Sequence, residues 1–585
     1  MLASVHLEEG PEAVPLGAAC IASALKEAFP GITVSLVESF AADGVEGLLK
    51  KTRAPAVEAV GFSLYNWNRA IITEAAKRLR AERPELFLFC GGPEATALPG
   101  GLLRSQEGAF DALISGEGEE AAVRLVGARF FKAPAAEPVP SALVSAGLDE
   151  TQPAPSPKRL LPSPWLDGTL KAGDRQGILW ELARGCPYRC AYCYESKGAG
   201  EPGVRYFPED RVRKELRLFL QGKVSYDAVP PAGGAVNNIP IGKGSEGTYV
   251  FVLDPTFNSD KDRALRILDM IIRETDEHTP ERDSGIHWHF EVRGELLNRE
   301  QVRRFARLGA SLQIGLQTAN PKVSALINRD LNRGLFESRI QMLNEEGVSF
   351  GLDLIYGLPG DTLAGYRKSL DFAFSLYPDN LDLFRLSVLP GTLLRDRAEE
   401  LGLRANSEAP YDVISTPEFS AHDLDRAETL SLAADFFYNK GRAVAWFNQV
   451  LYPLGPQGMR AAVFLEGFAK FLARRDHRTQ PFAFREQRFS GDVEKAQLAY
   501  LDRVYTMAKK SSLLPAVYDV VRFHGAWGRA LAEGFSTDVE FHYDPDAILS
   551  EDAMDIEDFV ASARQTPSKI RVRPGKQGPE VSRLR

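Results

Sequence analysis

The sequence predicts an α/β protein in which a doubly wound parallel sheet precedes a partial (β/α)6 barrel and a helical C-terminal region. Three observations carry this. Over residues 1–125, short apolar runs ending in Gly or Ser alternate with helical stretches, the mark of a parallel sheet covered on both faces. Six further strand candidates follow in βα order without repeating the first pattern, which suits an open barrel better than a second flat sheet. Beyond residue 400 the chain turns to long aromatic helical stretches such as AETLSLAADFFYNKGRAVAWF.

In the first unit, 1–125, LGAACIASALKEAF and AIITEAAKRLRAE read as helices and ITVSLVES, VEAVGFSLY and LFLFCGG as strands. Ligands of such sheets lie at the carboxyl ends of strands, here Ser63, Gly91-Gly92 and Gly116-Glu117. Residues 126–175, with clusters of Pro and Ala, read as a linker strapped across the surface. The barrel, 176–400, takes its strands from GILWELA, TYVFVLD, HWHFEVRG, SLQIGLQT, FGLDLIYGLP and LDLFRLSVLP. It is interrupted by a Gly-, Pro- and Asn-rich stretch, 221–248, that reads as a flexible surface insertion. Residues 401–565 read as a helical domain, and 566–585 as a disordered basic tail.

Composition excludes several classes. With 44% apolar and 25% charged residues the chain is an ordinary globular protein. There is no apolar run long enough to span a bilayer and the start lacks the look of a signal peptide, so a cytoplasmic location without a membrane partner is expected. A net charge of −9 with no basic block before the last twenty residues speaks against nucleic acid. Five cysteines exclude a disulfide scaffold. Cys20 and Cys90 sit in apolar surroundings and read as small hydrophobes.

The other three cysteines fall in Arg184-Gly185-Cys186-Pro-Tyr-Arg-Cys190-Ala-Tyr-Cys193, just after the first barrel strand. Soft thiolates select zinc or iron–sulfur clusters. Structural zinc wants a fourth protein ligand, and neither His nor Cys follows within 80 residues. Three thiolates would hold a [4Fe-4S] cluster with one iron open, facing the mouth of the barrel.

The spacing C-x3-C-x-aromatic-C, with Tyr192 as the aromatic, resembles the radical S-adenosylmethionine (SAM) superfamily. The resemblance implies that the open iron binds SAM and that reductive cleavage yields a 5′-deoxyadenosyl radical. It also implies an electron donor such as flavodoxin or ferredoxin. On the third strand, Glu291 is the candidate to accept hydrogen bonds from SAM, pointing into the barrel with Arg293 pointing out; a salt-bridged strand carboxylate is the other reading. Gln317 and Arg329, around the fourth strand, are candidates for the cofactor's carboxylate or ribose, or else neighbours that cap a helix. Asp254 ends the second strand where family members often carry Gly-Gly-Glu, which this chain lacks.

The first unit resembles the cobalamin-binding, Rossmann-like (flavodoxin-like) module of one radical SAM subgroup. The matching residues are Ser63 and Tyr65 in GFSLYNWN, Gly91-Gly92 in FCGGPEA and Glu117 in ISGEGEEAA. The module's D-x-H-x-x-G motif is missing: His6 has neither the aspartate nor the spacing and reads as an incidental terminal residue. Cobalamin would then lack a histidine below cobalt, a face that the loop Tyr65 to Arg69 is placed to cover. The whole resembles cobalamin-dependent radical SAM proteins, which implies methylation of an unactivated carbon on a small-molecule or peptide substrate. Rearrangement or redox chemistry without methyl transfer, and a non-catalytic cofactor-binding sensor, are the alternatives.

Overall fold

The computed structural model describes residues 1–97, 109–131, 143–145, 161–196, 203–222, 235–236, 239–240, 248–278, 285–475, 490–550, 553–575 and 578–584. Most of the predicted insertion, and much of the predicted linker, lies outside them.

The N-terminal sheet comprises β1 (Leu2–His6), β2 (Leu36–Phe40), β3 (Ala59–Ser63), β4 (Phe87–Gly91), β5 (Ala112–Ile114) and β6 (Leu143–Ser145), in the order β2-β1-β3-β4-β5-β6. The first five are parallel; β6 pairs antiparallel with β5. Among the described residues, helices α1 (Leu16–Ala28), α2 (Gly44–Thr52), α3 (Arg69–Glu82), α4 (Pro93–Ala97) and α5 (Glu119–Phe130) accompany the sheet. In α3, Ile72, Ala75, Ala76 and Leu79 form the buried stripe that helical periodicity requires. One face packs Val60, Phe62 and Leu88 against α3, and the other packs Phe87 and Phe89 against Ala18 and Ala122. Cys90 and Cys20 are both buried, and burial raises both thiols, Cys90 to about 12.

Strand β1 was not among the predicted strands, yet it lies inside the sheet between β2 and β3. His6 is therefore the last residue of an interior strand, with Nε2 3.4 Å from Glu38, rather than an incidental terminus.

The barrel strands are β7 (Gly177–Trp180), β8 (Thr248–Val252), β9 (Ile286–Val292), β10 (Ser311–Gln317), β11 (Phe350–Tyr356) and β12 (Asn380–Arg385). All are parallel and ordered as in the chain, with β7 and β12 left as unjoined edges. Along β9, Trp288, Phe290 and Val292 pack with the helices while Glu291, on the other face, opens to the lumen.

The loop between β1 and α1 reaches the free edge of this barrel. Pro11 lies so close to Gly177 that a Cβ at that position would run into the Pro11 carbonyl. Val14 belongs to the apolar core of the barrel, not to that of its own sheet.

Two expectations about connecting segments are corrected. Helix α5 runs on to Phe130, past the expected boundary at 125. Residues 161–175 are no surface strap: Trp165, Leu170 and Ala172 are buried in the barrel core, with Trp165 edge-on to Phe219 at 5.4 Å. An indole of that size gains more from burial than a strap would.

Beyond the barrel, helices Ala421–Ala434, Ala461–Arg475, Ser490–Met507 and Leu514–Glu533 follow. Phe437, Phe447, Phe464, Phe468 and Tyr500 pack edge to face beside them, with Phe436 stacked on Phe468, so the aromatic residues form core. The tail expected to be disordered instead supplies two strands, Ser568–Arg573 and Glu580–Leu584, antiparallel beside Thr537–Phe541. In the first of these Ile570 and Val572 point inward, while Arg571 bonds Asp538 at 2.6 Å. No described helix is long and apolar enough to cross a membrane.

Candidate active site

The cysteine loop leaves β7 through a short ribbon, Ala183–Arg184 paired antiparallel with Arg205–Tyr206. The loop is pinned from two sides: Ala191 N–H donates to the Ile327 carbonyl (2.9 Å) and Leu394 N–H to the Ala191 carbonyl (2.8 Å). Within it, Cys193 N–H donates to the Cys190 carbonyl at 3.1 Å, which folds the second and third cysteines into one turn. Cys186 Sγ lies 3.7 Å from Thr256 Oγ1. Burial, with the neighbouring Cys190 and Cys186, pushes the Cys193 thiol up to about 11.

Cys186, Cys190 and Cys193 line one cavity of about 180 Å³ in the barrel mouth. The four SAM candidates Tyr192, Glu291, Gln317 and Arg329 line the same cavity. Arg293 lines it too, contrary to the expectation that it points away, because residues two apart on a strand share a face. Its guanidinium stacks on Tyr188 at 3.9 Å and pairs with Glu295. Glu291 lies deep in the barrel but open to the lumen, and desolvation at that depth, with the Glu12 carboxylate nearby, pushes the carboxyl up to about 7. Arg329 donates to the Gly315 carbonyl.

Gln317 stands out. A bulge between Gly315 and Gln317 ends the strand, and Gln317 adopts φ 66°, the left-handed region that non-glycine residues seldom occupy. The side chain is 7% exposed, and its Oε1 has no hydrogen-bond partner among the described residues. A strained residue with an orphan acceptor in a cavity wall is a candidate binding position.

Asp254, by contrast, is not free to bind a cofactor. It is 2% exposed, accepts from Leu182 N–H (3.0 Å) and from Arg263 Nη1 (3.0 Å), and is consumed by structure. Asp353 and Gln313 also line the cavity and were missed. Burial beside Asp382 pushes Asp353 up to about 7, and the Gln313 amide donates to both Asp353 and Asp382. Their signal was present: each is the polar residue of an alternating strand pattern.

A larger cavity of about 840 Å³ lies between the N-terminal sheet and the barrel. Ser63, Tyr65, Gly91, Gly92 and Glu117 all line it. Gly92 has φ 113° and an added Cβ would lie 2.8 Å from the Leu64 carbonyl oxygen, so only glycine allows this approach. Tyr65 is held by Asn68, whose Oδ1 accepts its N–H at 2.8 Å, and stacks on Trp67 at 4.3 Å. Glu117 is not unengaged: it pairs with Arg184 and Arg205 from the barrel. His6 is not among the lining residues. Cys186, Glu195 and Pro255 line both cavities and form the wall between them.

The residues fit the groups that the fold implies. Three thiols share one cavity, and soft thiolates are the ligands that an iron–sulfur cluster takes. The interdomain cavity has the glycine-bearing strand ends that a large nucleotide-tailed ligand needs.

A family model described as B12 binding domain matches residues 7–126, and one described as Radical SAM superfamily matches residues 236–373. The chain is similar to the cobalamin-dependent radical SAM methyltransferase TokK of Streptomyces tokunonensis, at 24% identity over 72% of this chain and 59% of that protein. It is also similar to the 2-(S-pantetheinyl)-carbapenam-3-carboxylate methyltransferase of Streptantibioticus cattleyicolor, at 30% identity over 32% of this chain and 28% of that protein. The matches thus span less than two thirds of either relative. Among solved structures, that of TsrM from Kitasatospora setae with cobalamin and a [4Fe-4S] cluster bound gives a TM-score of 0.53 at 16% identity, covering 70% of this chain and 81% of that one. OxsB with aqua-cobalamin gives 0.57 at 12% identity, covering 90% and 79%; at such identities the likeness is one of fold. Fold and family matches together give a chain that joins a B12-binding domain to a radical SAM domain. That pairing of domains is the one of cobalamin-dependent radical SAM proteins, and the cofactors that the two domains imply are a [4Fe-4S] cluster, SAM and cobalamin.

Proposed function

We propose that this chain is a methyltransferase that adds a methyl group to an unactivated carbon of a small substrate lying between the two cavities. The observation that carries the reading is the wall shared by both, formed by Cys186, Glu195 and Pro255. Bound there, the cluster with SAM supplies one-electron chemistry and cobalamin supplies methyl transfer. The protein's own task is to hold and orient. Cys186, Cys190 and Cys193 ligate the cluster; Glu291, Gln317 and Arg329 hold the polar groups of SAM, with Tyr192 packing beside them. Ser63, Tyr65, Gly91 and Gly92 seat cobalamin in the larger cavity. The reading is also supported by the two curated relatives, both named as methyltransferases. An electron donor of the flavodoxin or ferredoxin type completes the system.

The test is anaerobic incubation of reconstituted protein with reductant, methyl-deuterated SAM and a small-molecule extract. A product carrying the deuterated methyl together with 5′-deoxyadenosine is expected. 5′-Deoxyadenosine without any labelled product would replace the proposal with rearrangement or redox chemistry, and absence of cleavage would replace it with a sensor.

A further inference from the structure

Arg184, immediately before Gly185 and Cys186, reaches out of the barrel into the N-terminal domain. Its guanidinium lies 2.7 Å from Glu119 Oε1, 3.3 Å from Glu117 Oε2 and 3.0 Å from Glu181 Oε1. Glu117 and Glu119 sit where the chain passes from β5 into α5. Arg205, facing Arg184 across the ribbon, also bonds Glu117. Two guanidiniums on one ribbon therefore grip one turn of the other domain. The grip is partly buried, most deeply at Arg184 and Glu119, 15% and 7% exposed, and less at Arg205 and Glu117, 31% and 26% exposed. A desolvated, multiply bonded ion network is costly to break and tolerant of few geometries.

The ends of this network are the two cofactor walls. The turn holding Gly116, Glu117 and Gly118 lines the interdomain cavity, and the ribbon passes directly into the cysteine loop. We propose that Arg184 and Glu119 are positioning residues that set the separation between the cluster and cobalamin; this rests on the cofactor reading given above. Glu117 then serves the strut first and the cavity wall second.

The experiment uses the full chain, reconstituted anaerobically with cluster and cob(II)alamin. Electron paramagnetic resonance reads the magnetic interaction between the reduced cluster and Co(II) in wild type, Glu119→Gln and Arg184→Lys. Lysine keeps the charge but replaces the rigid five-donor fork of the guanidinium with a compact, rotatable ammonium. The expected result is wild-type iron, sulfide and cobalamin content in both variants, with the interaction weakened and spread over a range of separations. If Glu119→Gln fails to fold, Arg184→Lys carries the test. An unchanged interaction in a cobalamin-loaded variant would overturn the inference alone. Wild-type protein that retained no cobalamin would overturn the cofactor reading and the inference with it.

Discussion

Arg263 and Asp254 form an ion pair at 3.0 Å in which both side chains are at most 5% exposed. The same guanidinium donates to the Leu182 carbonyl at 2.9 Å, so the pair ties the second barrel strand to the segment that leads into the cysteine loop. Removing one member strands the other in a desolvated site. Asp254→Asn should cost about 3–5 kcal/mol of stability, measured by urea unfolding, while the SAM affinity of the folded fraction stays unchanged.

Each of Cys186→Ala, Cys190→Ala and Cys193→Ala should lose iron, labile sulfide and SAM cleavage together. Iron and sulfide assays beside 5′-deoxyadenosine chromatography check this. Retention of cleavage by any one variant would contradict the assignment of that cysteine.

Gln317 should trade stability against binding. Its left-handed backbone costs about 1–2 kcal/mol that glycine does not pay in contacts, offset in part by the extra freedom of glycine in the unfolded chain. Gln317→Gly is expected to stabilise the fold by about 0.5–1 kcal/mol and to weaken SAM binding to cluster-loaded protein about tenfold, as loss of one hydrogen bond does. Denaturation and calorimetric titration read the two effects separately.

Asp353, through burial beside Asp382, and Glu291, desolvated at the depth of the lumen with the Glu12 carboxylate nearby, both reach about 7. Between the ordinary carboxyl range and that value the folded protein holds protons that the unfolded chain has released. The contribution of these two groups to stability should therefore fall as pH rises from about 5 to 8, and the loss is complete above the folded values. Buried His289 and His524, both held low at about 4, act in the opposite direction, so the check is the difference between proteins: thermal unfolding should show Glu291→Gln gaining on wild type as pH rises.

The barrel was legible because each of its six strands carries a run of alternating or continuous apolar residues, and the cysteine spacing is specific by itself. Strand β1 was not: five residues containing Ser and His give too short a pattern, and its place inside the sheet follows from pairing with Leu36–Phe40 and Ala59–Ser63. The alternation of Ile570 and Val572 was masked by the surrounding charges, which are satisfied by acids such as Asp538, thirty-three residues away from Arg571. Partners also limit what the site carboxylates can do, and no pattern in the sequence pairs Asp254 with Arg263, nine residues on, or Glu117 with Arg184, sixty-seven residues on.

Pro11 and Val14 give the barrel part of its wall from a segment that the chain order assigns elsewhere. The two halves are consequently not interchangeable modules. Grafting the N-terminal domain of a relative onto this barrel would leave a bare sheet margin at Gly177 unless the loop before α1 travelled with the recipient, so recombination between family members should succeed only at joints that keep residues 7–15 and β7 from the same parent.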